Sequence, residues 1–146
     1  MLRSILEKLT QPIVEPLPDG DARLAVAAIL VRLARADHDY DPSEQQAIDR
    51  ILAQRHGLSG DAAMALRKQA EELEAEAPDT IRFTNAVKEA VPLEDRIAIL
   101  EAAWTIVLAD GERASEEDAL MRMIPKFLGI SDMQSNLARQ RAAKSA

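Results

Sequence analysis

Two short stretches carry acids at a spacing that could hold a metal ion. They are Ala36-Asp37-His38-Asp39-Tyr40-Asp41-Pro42-Ser43-Glu44 and Ala109-Asp110-Gly111-Glu112-Arg113-Ala114-Ser115-Glu116-Glu117. In each, an Asp at the second position is followed by an acid two positions on and by a closing Glu seven positions on. Hard cations such as Ca²⁺ and Mg²⁺ take carboxylate oxygens held in short turns. The candidate ligands are therefore Asp37, Asp39, Asp41 and Glu44 in one turn, and Asp110, Glu112 and Glu117 in the other, with a divalent cation as the expected cofactor. An EF-hand is excluded. Its loop needs Gly at position 6 and Glu at position 12, where the first stretch has Pro42 and Ile48, and the second has Ala114 at position 5. The same acids also suit a purely structural role. Asp41 and Ser115 stand where helix caps belong, and acids in a first turn favour the helix dipole.

Other chemistry has little to stand on. Cys is absent, which removes thiolate metal sites, Fe–S clusters and Cys nucleophiles. His38 occupies the position of Gly111 in the other stretch and reads as a turn residue. His56, just before Gly57, reads as a cation at a helix C-terminus. No Ser–His–Asp order, Gly-rich phosphate loop or HExxH is present, so the expectation is a protein that is not an enzyme. A net charge of −7 repels phosphate backbones and argues against nucleic acid.

The elements that must position the turns are helices. Aromatics make up 3% of the 146 residues, Ala and Leu dominate, and strict alternation is scarce. Met1 to Leu9 has the spacing of a short amphipathic helix and is too short and charged for a secretory segment. Pro12, Pro16 and Pro18 make the following stretch an extended linker, so the division is 1–18 as helix and linker and 19–146 as the helical domain. No run reaches the roughly 20 apolar residues of a membrane span, and the expected compartment is the cytoplasm. Residues 22–36 and 93–109 are apolar almost all round and should lie centrally, with Trp104 buried. Asp41-Pro42-Ser43-Glu44 starts a helix that ends at Gly57. Ser59 opens another, whose acidic end at Glu71, Glu72, Glu74 and Glu76 reads as a solvated face. Asp79 should cap a helix with Ile81, Phe83 and Val87 in the core. Ser115 should cap one with its stripe at Leu120, Met121, Ile124, Phe127 and Leu128. Pro125 should kink or break that helix, and the last helix, from Ser131, should fray beyond Arg139.

The two acidic stretches belong to an internal repeat with an offset of 73 residues. Each follows a near-continuous apolar helix. Downstream, Ile48 matches Met121, Ile51 matches Ile124, and Leu52 matches Pro125. After one residue is dropped, Gly57-Leu58-Ser59 matches Gly129-Ile130-Ser131. The fold class is all-α, a bundle of about seven or eight helices in two pseudo-repeated halves.

At this repeat the chain resembles the TerB family of tellurite-resistance-associated proteins, which is itself similar to the N-terminal domain of the membrane-anchored co-chaperone DjlA. The resemblance rests on Leu30-Val31-Arg32-Leu33-Ala34-Arg35-Ala36-Asp37, Asp41-Pro42-Ser43-Glu44, Ile51-Leu52, Arg82-Phe83-Thr84, Glu94-Asp95-Arg96, Ala109-Asp110-Gly111-Glu112, Glu117 and Gly129-Ile130-Ser131. It covers roughly residues 21–137. It implies a TerB-like helical fold and a cation-binding or interaction surface built from the acids of both turns. It further implies a role in resistance to tellurite and other chemical stress, with other proteins as partners, in assemblies near the inner membrane. His38 in place of a turn Gly, and Ala114 in place of an acid, depart from the family pattern. The alternative is a metal-independent structural adaptor or co-chaperone accessory domain.

Overall fold

The computed structural model describes residues 19–36, 40–76, 80–109 and 115–145. Among these the chain forms seven helices and no strand: α1 (Asp19–Arg35), α2 (Pro42–His56), α3 (Gly60–Glu76), α4 (Ile81–Ala90), α5 (Leu93–Ala109), α6 (Ser115–Phe127) and α7 (Asp132–Ser145). The N-terminal helix and linker expected over 1–18 lie outside the described residues, as does Asp79.

α1 is the axis of the bundle. From Ala22 to Ala34 only Arg23 is exposed and only Arg32 half-buried, because the helix packs against α2, α3, α4 and α5 together. Fully burying side chains such as Leu24, Ile29, Leu30 and Leu33 contributes roughly 1.5–3 kcal/mol each. α5 is central from Ile99 onward. Its face of Ile99, Leu100, Ala103, Trp104, Ile106 and Val107 is buried, with Trp104 at 7% exposure, while its first turn is exposed. α4 buries Phe83 and Val87 as its spacing predicts, but Ile81 is 43% exposed.

The repeat is visible in the packing. α1 pairs with α3, and α5 pairs with α7. Ala70 and Ala142, equivalent under the repeat, are each fully buried at these contacts. The symmetry stops at the middle helix. α2 packs against both α1 and α3, whereas α6 finds its main support on α4.

Two expectations are corrected. α6 runs without a break through Pro125 to Phe127. Pro125 is the third residue from its end, and its carbonyl takes the Ile130 N–H while that of Lys126 takes the Gly129 N–H. This is a Schellman closure with Gly129 at φ +72°, so the helix terminates here in any case and the missing Pro N–H falls in its last turns. α7 does not fray past Arg139 but continues to Ser145. Ala138 and Ala142 are buried beneath it and Arg141 pairs with Glu101 at 3.0 Å. Its start is a capping box: Ser131 Oγ accepts from Gln134 N–H, and the Gln134 side chain accepts from Ser131 N–H, both at 3.1 Å.

Candidate functional site

Of the seven candidate ligands, Asp37, Asp39, Asp110 and Glu112 lie outside the described residues, as does His38. Glu117 sits in the first turns of α6, where its side chain is not described. Asp41 and Glu44 are fully placed. Asp41 is the N-cap of α2: its Oδ1 accepts from Glu44 N–H at 3.0 Å and from Ser43 Oγ–H at 2.6 Å. The Ser43 hydroxyl, then the Glu44 N–H, hold its carboxyl below the usual Asp value. Both bonds are the ordinary work of a cap.

What sequence reasoning missed is the frame behind the first turn. The residue entering it, Arg35, and the residue leaving it, Tyr40, stack on each other with the guanidinium 5.1 Å from the ring centre. Arg35 Nη1 donates to Glu74 Oε1 at 2.6 Å and to the Glu71 carbonyl at 3.2 Å. Tyr40 Oη–H donates to Glu71 Oε2 at 2.5 Å. Burial first, then this bond to Glu71, raises the Tyr40 hydroxyl above its ordinary value. Glu71 also accepts from Arg67 Nη1 at 2.9 Å, and Arg67 Nε donates to Asp49 Oδ1 at 2.6 Å. Arg67 is only 6% exposed. Burial alone would lower its pKa, but Asp49 and Glu71 outweigh that and raise it. One turn up α1, Arg32 donates to Glu74 Oε2 at 3.1 Å and to Thr80 Oγ1 at 3.2 Å, over the Phe83 ring.

The acidic end of α3 is thus not uniformly solvated. Glu72 and Glu76 are exposed, but Glu71 and Glu74 are half-buried ion-pair partners. The signal was in the spacing. Arg32 and Arg35 interrupt an apolar helix three residues apart, and Glu71 and Glu74 repeat that interval on the facing one, so two charges on one face meet two on the other.

His56 is corrected too. Burial, then the charges of Arg23 and Arg55, depress its pKa to about 4. At neutral pH it is an uncharged imidazole and gives the α2 dipole no cation. Its Nε2 is buried without a hydrogen-bond partner among the described residues.

Chemically, this arrangement consumes its charges internally. Asp49, Glu71 and Glu74 are neutralised by arginines and Asp41 by its cap. Among the described residues no group of three or more His, Asp and Glu is placed to hold a metal ion.

No curated protein matches the chain. A solved structure of a protein of unknown function from Porphyromonas gingivalis W83 shares the fold, with a TM-score of 0.61 at 20% identity over 91% of this chain and 96% of that one. The family model described as tellurite resistance protein TerB matches residues 23–140, and the chain belongs to the TerB family.

Proposed function

We propose that the chain is a non-enzymatic interaction module of the tellurite and chemical-stress response, which presents its acidic turns to a partner protein and binds a divalent cation through them. The observation that supports this is the clamp on the first turn. Arg35 and Tyr40, the residues that enter and leave the turn, are bound to Glu74 and Glu71 and so held against α3, which lowers the ordering cost of a partner or cation binding there. The strongly shifted groups, Tyr40, Arg67 and His56, are accounted for by packing and ion pairing, which favours a structural over a catalytic reading of each. Family membership supports the tellurite connection. Among the described residues no helix is long and apolar enough to cross a membrane, so an assembly near the inner membrane would be reached through partners.

The test is thermal unfolding and calorimetry with Ca²⁺ and Mg²⁺. Binding raises the melting temperature by mass action, by about 2.7 kcal/mol of stability at a hundredfold excess over Kd. The double variant Asp37→Asn, Asp110→Asn should abolish the gain. Asp41→Asn, which keeps a competent cap, should not. No heat and no shift with either cation would leave the metal-independent adaptor, a reading that the cap role of Asp41 favours.

A further inference from the structure

Under the repeat, α6 and α7 correspond to α2 and α3, and the ion-pair network around Arg67 in the first half has no counterpart around Arg139 among the described residues of the second. Arg139 stands where Arg67 does. The position of Asp49 is taken by Arg122, and that of Glu71 by Ala143. Both carboxylates have gone and one has become a second cation. Where Arg67 bridges to Asp49 in the first half, the second holds a groove of about 550 Å³ between α6 and α7, within the range of ligand sites. Trp104 lines it together with Arg122, Lys126, Arg139, Asp118 and Asp132. Asp118 has an interaction of its own, and with Asp132 it sets two carboxylates against three cations in the lining.

Three observations say that the groove has fewer carboxylates than its cations and donors can use. Arg139 stacks on the Trp104 ring at 5.2 Å and has no ion pair among the described residues, where Arg67 has two. Arg122 and Lys126, both exposed, are four apart on one helix, a like-charge pair that the single carboxylate of Asp118, one turn before Arg122, offsets only in part. The indole Nε1–H of Trp104, in a residue more than nine-tenths buried, finds no acceptor among the described residues, and such an orphan donor is costly. In a chain of net charge −7 this concentration of cations is locally distinct.

We propose that the groove between α6 and α7 binds an acidic segment of a partner protein, whose Asp or Glu carboxylates occupy the places that Asp49 and Glu71 fill in the first half. The first half itself argues for side-chain carboxylates, since the equivalent arginine there takes two of them, Asp49 from the neighbouring helix and Glu71 from its own. The proposal rests on reading the chain as an interaction module and adds which chemistry the partner must offer.

Trp104 is the only tryptophan, so its fluorescence reports on the groove directly. A short oligoglutamate peptide should change it saturably, in the presence of a chelator, and added salt should weaken the effect. The matching oligoglutamine peptide should do nothing. Arg122→Asp and Arg139→Gln should each weaken binding by roughly tenfold or more, measured by calorimetry as well as fluorescence. Arg50→Asp makes the same charge change on an exposed face of α2 and should leave affinity within about twofold. An equal loss in Arg50→Asp, an equal response to inorganic phosphate or citrate, or no response to oligoglutamate would each overturn the proposal. Because the titration excludes divalent cations, its failure leaves the cation reading of the turns untouched, and the converse also holds.

Discussion

Arg67 shows how one side chain can join three elements. Its guanidinium is nearly enclosed and spends its donors on Asp49 from α2 and Glu71 from its own helix, while Glu71 in turn holds Tyr40. Breaking a buried pair by removing one partner costs far more than the pair gains over an apolar substitute, because the orphaned charges remain. Arg67→Met should therefore lower unfolding stability by about 3 kcal/mol in urea melts. Adding Asp49→Leu should recover part of the loss, and a strictly additive double variant would mean that the two side chains do not interact. His56 gives a prediction in pH. Its pKa is about 4 in the folded chain against 6.5 when unperturbed. Between those values the unfolded state binds more protons, so stability rises with pH across the window. The His56 contribution is complete above about 6.5 and is lost as pH falls toward 4. His56→Gln should flatten the stability profile between those limits in a series of melts. An unchanged slope would mean that the imidazole is protonated in the folded protein. None of this was legible from sequence, where His56 looked like a dipole partner. Burial and Arg23, which outweigh the adjacent Arg55 in setting its charge, come from tertiary packing.

At the scale of the element, the helix ends were the most legible feature because local chemistry sets them. Asp41-Pro42 and Ser131 start helices as read, and Gly57 and Gly129 stop them in the left-handed region, at φ +64° and +72°. The solvated face assigned to the end of α3 failed for the opposite reason. Helix propensity and charge runs do not show which neighbour arrives, and here it was the arginine face of α1. The two glycines allow a quantitative comparison. A Cβ at Gly57 would meet nothing within 4 Å, whereas at Gly129 it would come within 3.0 Å of Arg96 Nη1 and 3.3 Å of Lys88 Cε. Arg96 Nη1 donates to the Leu128 carbonyl at the end of α6, so displacing it also uncaps the helix. Gly57→Ala should cost about 1 kcal/mol, the price of a positive φ. Gly129→Ala should cost about 1 kcal/mol more, because a side-chain contact to a helix carbonyl is lost as well. Equal losses in denaturant melts would show that Arg96 shifts aside without consequence.

On the whole-molecule scale the repeat was readable in residues and the asymmetry was not. Matching Ile48 to Met121 and Gly57 to Gly129 sets the order of helices, and α1 on α3 with α5 on α7 follows. Nothing in that alignment says that α6 will rest on α4, because the docking of a helix depends on every surface around it. The substitutions that matter, Asp49 to Arg122 and Glu71 to Ala143, acquire meaning only once α3 shows what their equivalents do. The consequence is an uneven distribution of stability. α1 is buried on all sides and tied by Arg32 and Arg35, so its amides can exchange only when the whole bundle opens. α6 has one principal neighbour, borders the open groove and lacks one N–H at Pro125. It has the features of a locally opening unit. Native-state hydrogen exchange should place the α6 amides at least about 1–2 kcal/mol below those of α1 and α3. An acidic peptide in the groove should raise the protection of α6 while leaving α1 unchanged, since only local opening would be opposed. Equal protection of α6 and α1 in the free protein would mean that the second half opens only with the first, and that α6 is held by more than its packing on α4.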